Sequence, residues 1–359
     1  MNNTTTDEGL LFDEPVAVRI LRLVLYPLTF LIGVIGNLTV CSIVLGAKNK
    51  TFRSAKGYFI LNLALSDLMV LFLFLPFDLA YLENGSIWPF GFVPCKLINV
   101  LNSLSVTVSG SMLICIGYER YKAIVNSLMS RLSRRKALVM VVFSWVYSCV
   151  LQIPFVFALT MEPSGRCLID TAWWPNQLSF NLTYIMALIV PQFVIPAFCI
   201  ILFYVGIVSH LRKAHKLNYR RGIYTSVDVA EKREKQNRKT TKLLTGLVLV
   251  YAICILPGKV ILLSIMVKPA LLFSHFTRQL YEFARLLTTA NSCFNPILYT
   301  TLSHSFREDL RKLFSRRSDK NTDKFLQSLR ETPQAARRKT VRVITVRLES
   351  TYSEREDEV

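Results

Sequence analysis

Four charged residues stand where a long apolar chain tolerates them least. Glu119 and Arg120 close a stretch, Leu97–Tyr118, that holds no Asp, Glu, Lys or Arg; Asp67 interrupts the apolar stretch Gly57–Phe77, and Lys259 interrupts Leu243–Val267. A lone charge in hydrocarbon is unfavourable by at least about 2.5 kcal/mol, so each of these residues calls for an opposite charge, a bound ion, water or a ligand. Such chemistry is recognition and switching, and no catalysis is expected. Six of the eight cysteines, Cys41, Cys115, Cys149, Cys199, Cys254 and Cys293, lie inside apolar stretches without metal-ligand spacing and read as packing residues. Cys95 and Cys167 lie at or beyond stretch ends.

The elements that must position these groups are membrane helices. Leu23–Ala47, Leu97–Tyr118, Ala137–Met161, Thr171–Leu211 and Leu286–Phe306 carry no Asp, Glu, Lys or Arg, and the two stretches interrupted once by Asp67 and Lys259 bring the number to seven. Each reaches the roughly 20 residues that a bilayer requires. Lys48, Lys50, Arg53 and Lys56 fill the first connection, Arg131, Arg134, Arg135 and Lys136 the third, and Arg212–Lys242 holds eleven Lys/Arg against three acids. Positive connections face the cytoplasm. Asp7, Glu8, Asp13 and Glu14 lie in a leading segment without Lys or Arg before Arg19, which places that end outside. The net charge of +19 would suggest nucleic acid in a soluble chain. Here the bases gather beside membrane segments, where they serve orientation, lipid contact and partner binding, so no nucleic-acid partner is expected. The first twenty residues lack the pattern of a cleaved signal, and the first helix is expected to direct its own insertion. Asn2, Asn3, Asn84 and Asn181 match the glycosylation pattern on the outer side.

Three motifs then identify the family resemblance. Glu119-Arg120-Tyr121, Asn295-Pro296-Ile297-Leu298-Tyr299 and Asn62-Leu63-Ala64-Leu65-Ser66-Asp67, with Pro76, Pro154, Pro196, Pro257 and Pro296 in the helices, resemble a rhodopsin-like G-protein-coupled receptor from about Leu23 to Phe314. The resemblance implies an all-α membrane protein, a seven-transmembrane helix bundle with a short amphipathic eighth helix. Residues 1–22 would be an extracellular segment, 23–304 the bundle, 305–314 the eighth helix with Phe306, Leu310, Leu313 and Phe314 as its apolar stripe, and 315–359 a disordered, charge-rich cytoplasmic tail.

The family's functional residues carry over onto matching positions. The resemblance implies a Cys95–Cys167 disulfide joining the third helix to the second outer loop, with Trp88-Pro89-Phe90-Gly91 as the first outer loop. Glu119 would hold Arg120 until a heterotrimeric G protein engages it, beside Tyr121; the alternative is a plain interfacial arginine. Asn37, Ser109, Asn291, Ser292 and Asn295 match the positions around Asp67, implying a sodium and water cluster, or else a neutral Asp67 in a hydrogen-bond network. Tyr204 and Tyr299 match tyrosines that turn inward on activation, and no other cofactor is implied. Arrestin and receptor kinases would act on tail residues such as Thr340, Ser350, Thr351 and Ser353, and Asp357-Glu358-Val359 resembles a weak PDZ-type terminus.

Three departures stand out. Ile255 occupies the place, two residues before Pro257, where the family usually has Trp, which leaves Tyr251, one turn below, as the aromatic residue to take part of that role. Ser127 stands where Pro is common, and no cysteine follows Cys293 to carry a palmitoyl anchor.

The ligand class narrows by elimination. Amine receptors have Asp at the position of Asn102, and retinal pigments have Lys at the position of Thr289. What remains is peptides, or acidic or lipid-like small molecules. The acidic leading segment, a second outer loop long enough for a hairpin around Cys167, and the likeness of Tyr58–Asp67 and Glu119–Val125 to neuropeptide receptors favour an extracellular peptide. Lys259 lies about nine residues, roughly 13 Å, below the outer end of its helix. Two readings stand for it: a cationic floor for a ligand carboxylate, in a pocket with Asp78, Asn102, Glu282 and Arg285, or an internal brace to Asp78 or Glu282. A rival of another class, a seven-span transporter or channel, would need paired broken helices or a continuous polar path, and neither is visible. The expected location is the plasma membrane, multi-pass, with the N-terminus outside.

Overall fold

In hydrocarbon every backbone N–H and C=O must find its partner within the protein, which helices alone achieve inside a single segment. The computed structural model describes residues 14–46, 54–125, 132–169, 179, 183, 186–220, 227–268, 270–271, 274–303 and 306–313, with the side chains of 214–241, 244 and 266 left out. The first span is Val16–Gly46, the third Phe92–Val125, the fourth Arg134–Ala158, the sixth Val227–Val267 and the seventh His275–Leu302. The second is two helices, Ala55–Leu73 and Leu75–Glu83, broken at Phe74, where Pro76 removes a donor from the ladder. The fifth begins with a π-helical turn, Val190–Val194, and continues as Ile195–Arg220. Six of the seven are apolar enough to cross a membrane over at least eighteen residues. The seventh is more polar because Arg278, Glu282 and Arg285 fall in its first three turns.

Helix boundaries depart from the charge-free stretches in several spans, the seventh starting at His275 rather than Leu286, and two departures bear most on the charges. The first span starts at Val16 rather than Leu23, taking in Arg19 and Arg22, because both guanidinium groups are met by acids: Arg19 and Arg22 by Glu83, and Arg22 also by Glu14. The connection expected at Arg212–Lys242 is mostly helical, since the fifth span runs on to Arg220 and the sixth begins at Val227.

The third span is the axis. It packs against the second, fourth, fifth and sixth spans, and the first closes the ring by packing on the second and the seventh. Two-thirds of the apolar window of the third span is buried (67%), against 22% of the fourth. On the fourth, Val139, Phe143 and Phe157 are exposed, a face that belongs against lipid. Leu159–Met161 and Cys167–Ile169 form an antiparallel hairpin with Met161 opposite Cys167, as expected for the second outer loop. Trp88 donates its backbone N–H to the Gly165 carbonyl of that hairpin at 2.9 Å. Residues 306–313 form one more helix, in which Phe306 is buried and Arg311 and Lys312 are exposed.

Candidate functional site

At the outer end, Cys95 and Cys167 form the implied disulfide, with Cα atoms 5.9 Å apart. Trp88, 6% exposed, packs with Cys95, Val70 and Phe74 and meets Phe90 edge-on at 5.2 Å. The first outer loop is thereby fixed to the top of the third span. Asn84 is exposed, its Nδ2 donating to the Ile87 carbonyl at 3.0 Å; Asn2, Asn3 and Asn181 lie outside the described residues.

A rim of ion pairs follows. Arg22, 5% exposed, donates to Glu14 (2.5 and 2.7 Å) and to Glu83 (3.0 and 2.7 Å) and lies 3.5 Å from Glu282. Arg278 pairs with Glu282 at 3.4 Å and donates to Ser86 Oγ at 2.7 Å. Glu14, Arg22, Ser86, Arg278 and Glu282 line an open cleft between the first, second and seventh spans.

One turn deeper, Asp78 is 2% exposed and accepts from Tyr26 Oη at 2.8 Å and from Arg285 Nη2. The Arg285 guanidinium also lies over the rings of Phe74, Tyr81 and Tyr281 at 5.6, 5.9 and 6.0 Å, within cation–π reach. The brace considered for Lys259 is thereby corrected. Asp78 is taken by Arg285 and Tyr26, Glu282 by Arg278 and Arg22, and neither meets Lys259.

Lys259 instead donates to Gln192 Oε1 at 2.7 Å. Gln192 is 1% exposed and lies in the π-helical turn of the fifth span. Its Nε2 is within hydrogen-bond distance of Ser103 Oγ (3.0 Å), Ser103 O (3.3 Å) and Thr107 Oγ1 (3.1 Å) on the third span. Gln152 of the fourth span reaches the same Thr107 Oγ1 at 3.3 Å. Tyr251 Oη donates to the Gln192 backbone carbonyl, and Gly110 leaves the room for it: a Cβ there would meet that oxygen at 2.8 Å. The sixth span thus holds Gln192 from both sides of Pro257, with buried Ile255 between Tyr251 and that proline. Sequence reasoning missed Gln192. The available signal was a carboxamide flanked by Pro191 and Pro196 within a stretch free of charge. Asn102, one residue before Ser103, has a buried Oδ1 without a hydrogen-bond partner.

At mid-depth Asp67 is 1% exposed and accepts from Ser292 Oγ (3.0 Å) and Asn295 Nδ2 (2.8 Å). Asn37 Nδ2 donates to the backbone carbonyls of Ser292 (2.8 Å) and Gly33 (2.9 Å), and Ser109 Oγ pairs with Ser66 Oγ at 3.0 Å. Asn291 is buried but makes none of these bonds. The donor set is one carboxylate among neutral oxygens, with no cationic side chain bonded to it. Among the described residues no group of three or more His, Cys, Asp or Glu could hold a metal. The groups that donate to the carboxylate are a hydroxyl and an amide N–H, a set that fits either a bound sodium ion or a hydrogen-bond network around Asp67.

At the inner end Arg120 Nε lies 2.8 Å from Glu119 Oε2, an ion pair whose angle is too bent to count as a hydrogen bond. Tyr121 packs on Phe203 with ring centroids 5.7 Å apart and against Gly206, where a Cβ would come within 2.5 Å of its ring. Tyr299 is buried with its hydroxyl unpartnered and its ring 5.9 Å from Phe306, whereas Tyr204 is 42% exposed. Pro257 and Pro296 sit inside unbroken helices.

This arrangement has relatives. The chain is 28% identical over 310 residues to the neuropeptide Y receptor type 6 of Oryctolagus cuniculus, covering 83% of this chain and 81% of that one. It is 31% identical over 305 residues to the galanin receptor type 1 of Rattus norvegicus, with 82% of each chain covered. It is also 31% identical over 304 residues to the somatostatin receptor type 5 of Bos taurus, covering 84% of this chain and 77% of that one. Its fold resembles the crystal structure of squid rhodopsin with a TM-score of 0.71 at 21% identity, over 90% of this chain and 95% of that one. Residues 36–299, from just before Asn37 to Tyr299 and therefore including Asp67, Arg120, Lys259 and Asn295, match the 7 transmembrane receptor (rhodopsin family), and the chain belongs to that family of multi-pass membrane receptors.

Proposed function

We propose that this chain is a plasma-membrane receptor, N-terminus outside, that binds an extracellular peptide between the outer halves of its spans and activates a heterotrimeric G protein at its inner face. The reading is supported by the relatives, whose names are those of neuropeptide Y, galanin and somatostatin receptors. The observation that carries it is the third span. A single unbroken helix, Phe92–Val125, begins beside the outer-loop disulfide, contributes Ser103 and Thr107 to the middle polar cluster, and ends on Glu119 and Arg120. Displacement at one end of such a rod is felt at the other.

In this reading Asp67, Ser292 and Asn295, with Ser109 and Asn37 nearby, hold a sodium ion that favours the resting arrangement by neutralising the buried carboxylate. Arg120 leaves Glu119 for the G protein, and Tyr204 and Tyr299 reorient with it. The tail recruits receptor kinases and arrestin, and the basic inner connections contact anionic lipid.

Arg120→Ala tests the reading. With an agonist found by screening peptide libraries, the variant should reach the cell surface and lose agonist-driven nucleotide exchange, by at least about a hundredfold in rate. Full exchange by Arg120→Ala would remove the assignment. Asp67→Asn should abolish any sodium dependence of agonist affinity.

A further inference from the structure

The outer half of the bundle carries several charged side chains, and nearly all of them answer one another. Arg22 meets Glu14, Glu83 and Glu282; Arg278 meets Glu282; Arg285 meets Asp78. Lys259, deeper in the bundle, pairs with none of these acids. An ammonium has three donors, and among the described residues the Lys259 group has one partner, the neutral Gln192 Oε1. No described carboxylate lies within 4.0 Å of it.

We propose that Lys259 is the receiving site for a carboxylate of the ligand. This rests on the reading above that the space between the outer halves of the spans is the binding pocket, and it names the chemistry that enters it. One uncompensated positive charge matches a monoanion; a phosphate would call for several cations or backbone N–H groups, which are absent around this lysine among the described residues. The ammonium is also pre-positioned. Gln192 cannot swing its Oε1 away without breaking the Nε2 contacts to Ser103 and Thr107, and Tyr251 holds its backbone. Lys259 is therefore held by one bond with two donors to spare. A carboxylate oxygen can take one of them in a charge-assisted bond, about twice the strength of a neutral one. The depth of the site means that the entering group is the end of a ligand or a short projecting side chain. A peptide's free C-terminus, an Asp or Glu side chain and a small carboxylic acid share this chemistry.

The experiment uses the full-length receptor and probes in matched pairs. A peptide library is synthesised as free acids, as C-terminal amides, and as free acids with Asp and Glu replaced by Asn and Gln; phenylacetate is paired with phenylacetamide. Each probe is read by nucleotide exchange in membranes and by thermal stabilisation of the purified protein. Free acids should exceed their amides by about tenfold or more in half-effective concentration on the wild type, and by less than about threefold on Lys259→Met. That difference marks the C-terminus; an Asp or Glu side chain shows instead as the same difference, on the wild type and not on Lys259→Met, between a peptide and its counterpart with Asp and Glu replaced by Asn and Gln. Peptide probes weakened on the wild type neither by amidation nor by those replacements would overturn the carboxylate site while leaving the peptide-receptor reading intact. Responses to phenylacetate alone would do the reverse. If no probe is weakened on the wild type in either readout by amidation or by replacing Asp and Glu with Asn and Gln, the proposal is wrong, and this comparison does not depend on whether Lys259→Met folds.

Discussion

Arg285 and Lys259 are two cations facing the outer half of the same bundle, and they are accommodated in opposite ways. Arg285 is closed off: Asp78 neutralises it, Tyr26 completes Asp78, and three aromatic rings surround the guanidinium plane. Among the described residues Lys259 has one amide oxygen as its partner and no counter-charge. A closed ion pair repays its desolvation only while both members are present. An open cation leaves its desolvation uncompensated until something from outside arrives. The first arrangement joins spans one, two and seven; the second holds a cation on a neutral amide where spans three, five and six meet. Neighbouring charges of equal sign therefore need not share a role, and what separates them is whether an internal acid is within reach.

The largest effect should come from breaking the closed pair. Asp78→Asn leaves Arg285 without its counter-charge, and Arg285→Met leaves Asp78 with only Tyr26. Each should cost about 3–5 kcal/mol, the range for removing one partner of a buried pair, and should sharply lower both surface expression and the half-inactivation temperature. The double variant Asp78→Asn with Arg285→Met should recover much of that loss, because neither charge is then stranded. Additive losses in the double variant would mean that the two residues act separately, and the contrast with Lys259 would lose its closed member.

A smaller effect is expected at the rim. Arg22→Met strands Glu14 and leaves Glu83 to Arg19 and Glu282 to Arg278; the three side chains are 26%, 22% and 14% exposed, so water takes over part of their solvation. The expected cost is about 1–3 kcal/mol, falling as salt rises because exposed charges are screened. Measuring the half-inactivation temperature of wild type and variant between low and high sodium chloride checks both points. A salt-independent loss as large as that of Asp78→Asn would place Arg22 in the closed class instead.

How much of this was legible in the sequence varies with the physics at each position. The seven spans are read from the absence of charge alone, since hydrocarbon imposes that rule on every segment. The Cys95–Cys167 bond and the Asp67–Ser292–Asn295 contacts were legible only through the resemblance to the rhodopsin-like family, whose motifs the chain carries. The pairing of Asp78 was not legible. Acid and base there come from helices over two hundred residues apart in sequence, and a linear reading pairs Asp78 with Lys259 because the rotation of each helix is unknown to it. The start of the first span was misplaced for a related reason. Arg19 and Arg22 look like helix-ending charges in a linear reading, and the acids they meet, Glu83 brought alongside by folding and Glu14 for Arg22, make them tolerable at Val16–Gly46. Gln192 escaped notice because an uncharged amide raises no alarm in a charge-based scan, although its hydrogen-bonding demand in a dry interior is nearly as strict.

The smallest effect distinguishes the open cation from a brace. Without ligand, Lys259→Met removes an ammonium that costs desolvation and leaves behind one neutral carbonyl oxygen of Gln192, so the net change in stability should be within about 1 kcal/mol. Gln192→Leu should be worse than Lys259→Met. It removes the only described acceptor of a buried cation and also the contacts to Ser103 and Thr107. Adding Lys259→Met to Gln192→Leu should then restore part of the lost stability, because the stranded charge is gone. A brace predicts the opposite order: the lysine would be the member that matters, Lys259→Met would be the more damaging single change, and combining the two would bring no recovery. Half-inactivation temperatures of the two single variants and the double, in ligand-free protein, decide between these orders. A damaging Lys259→Met would place Lys259 in the same class as Arg285.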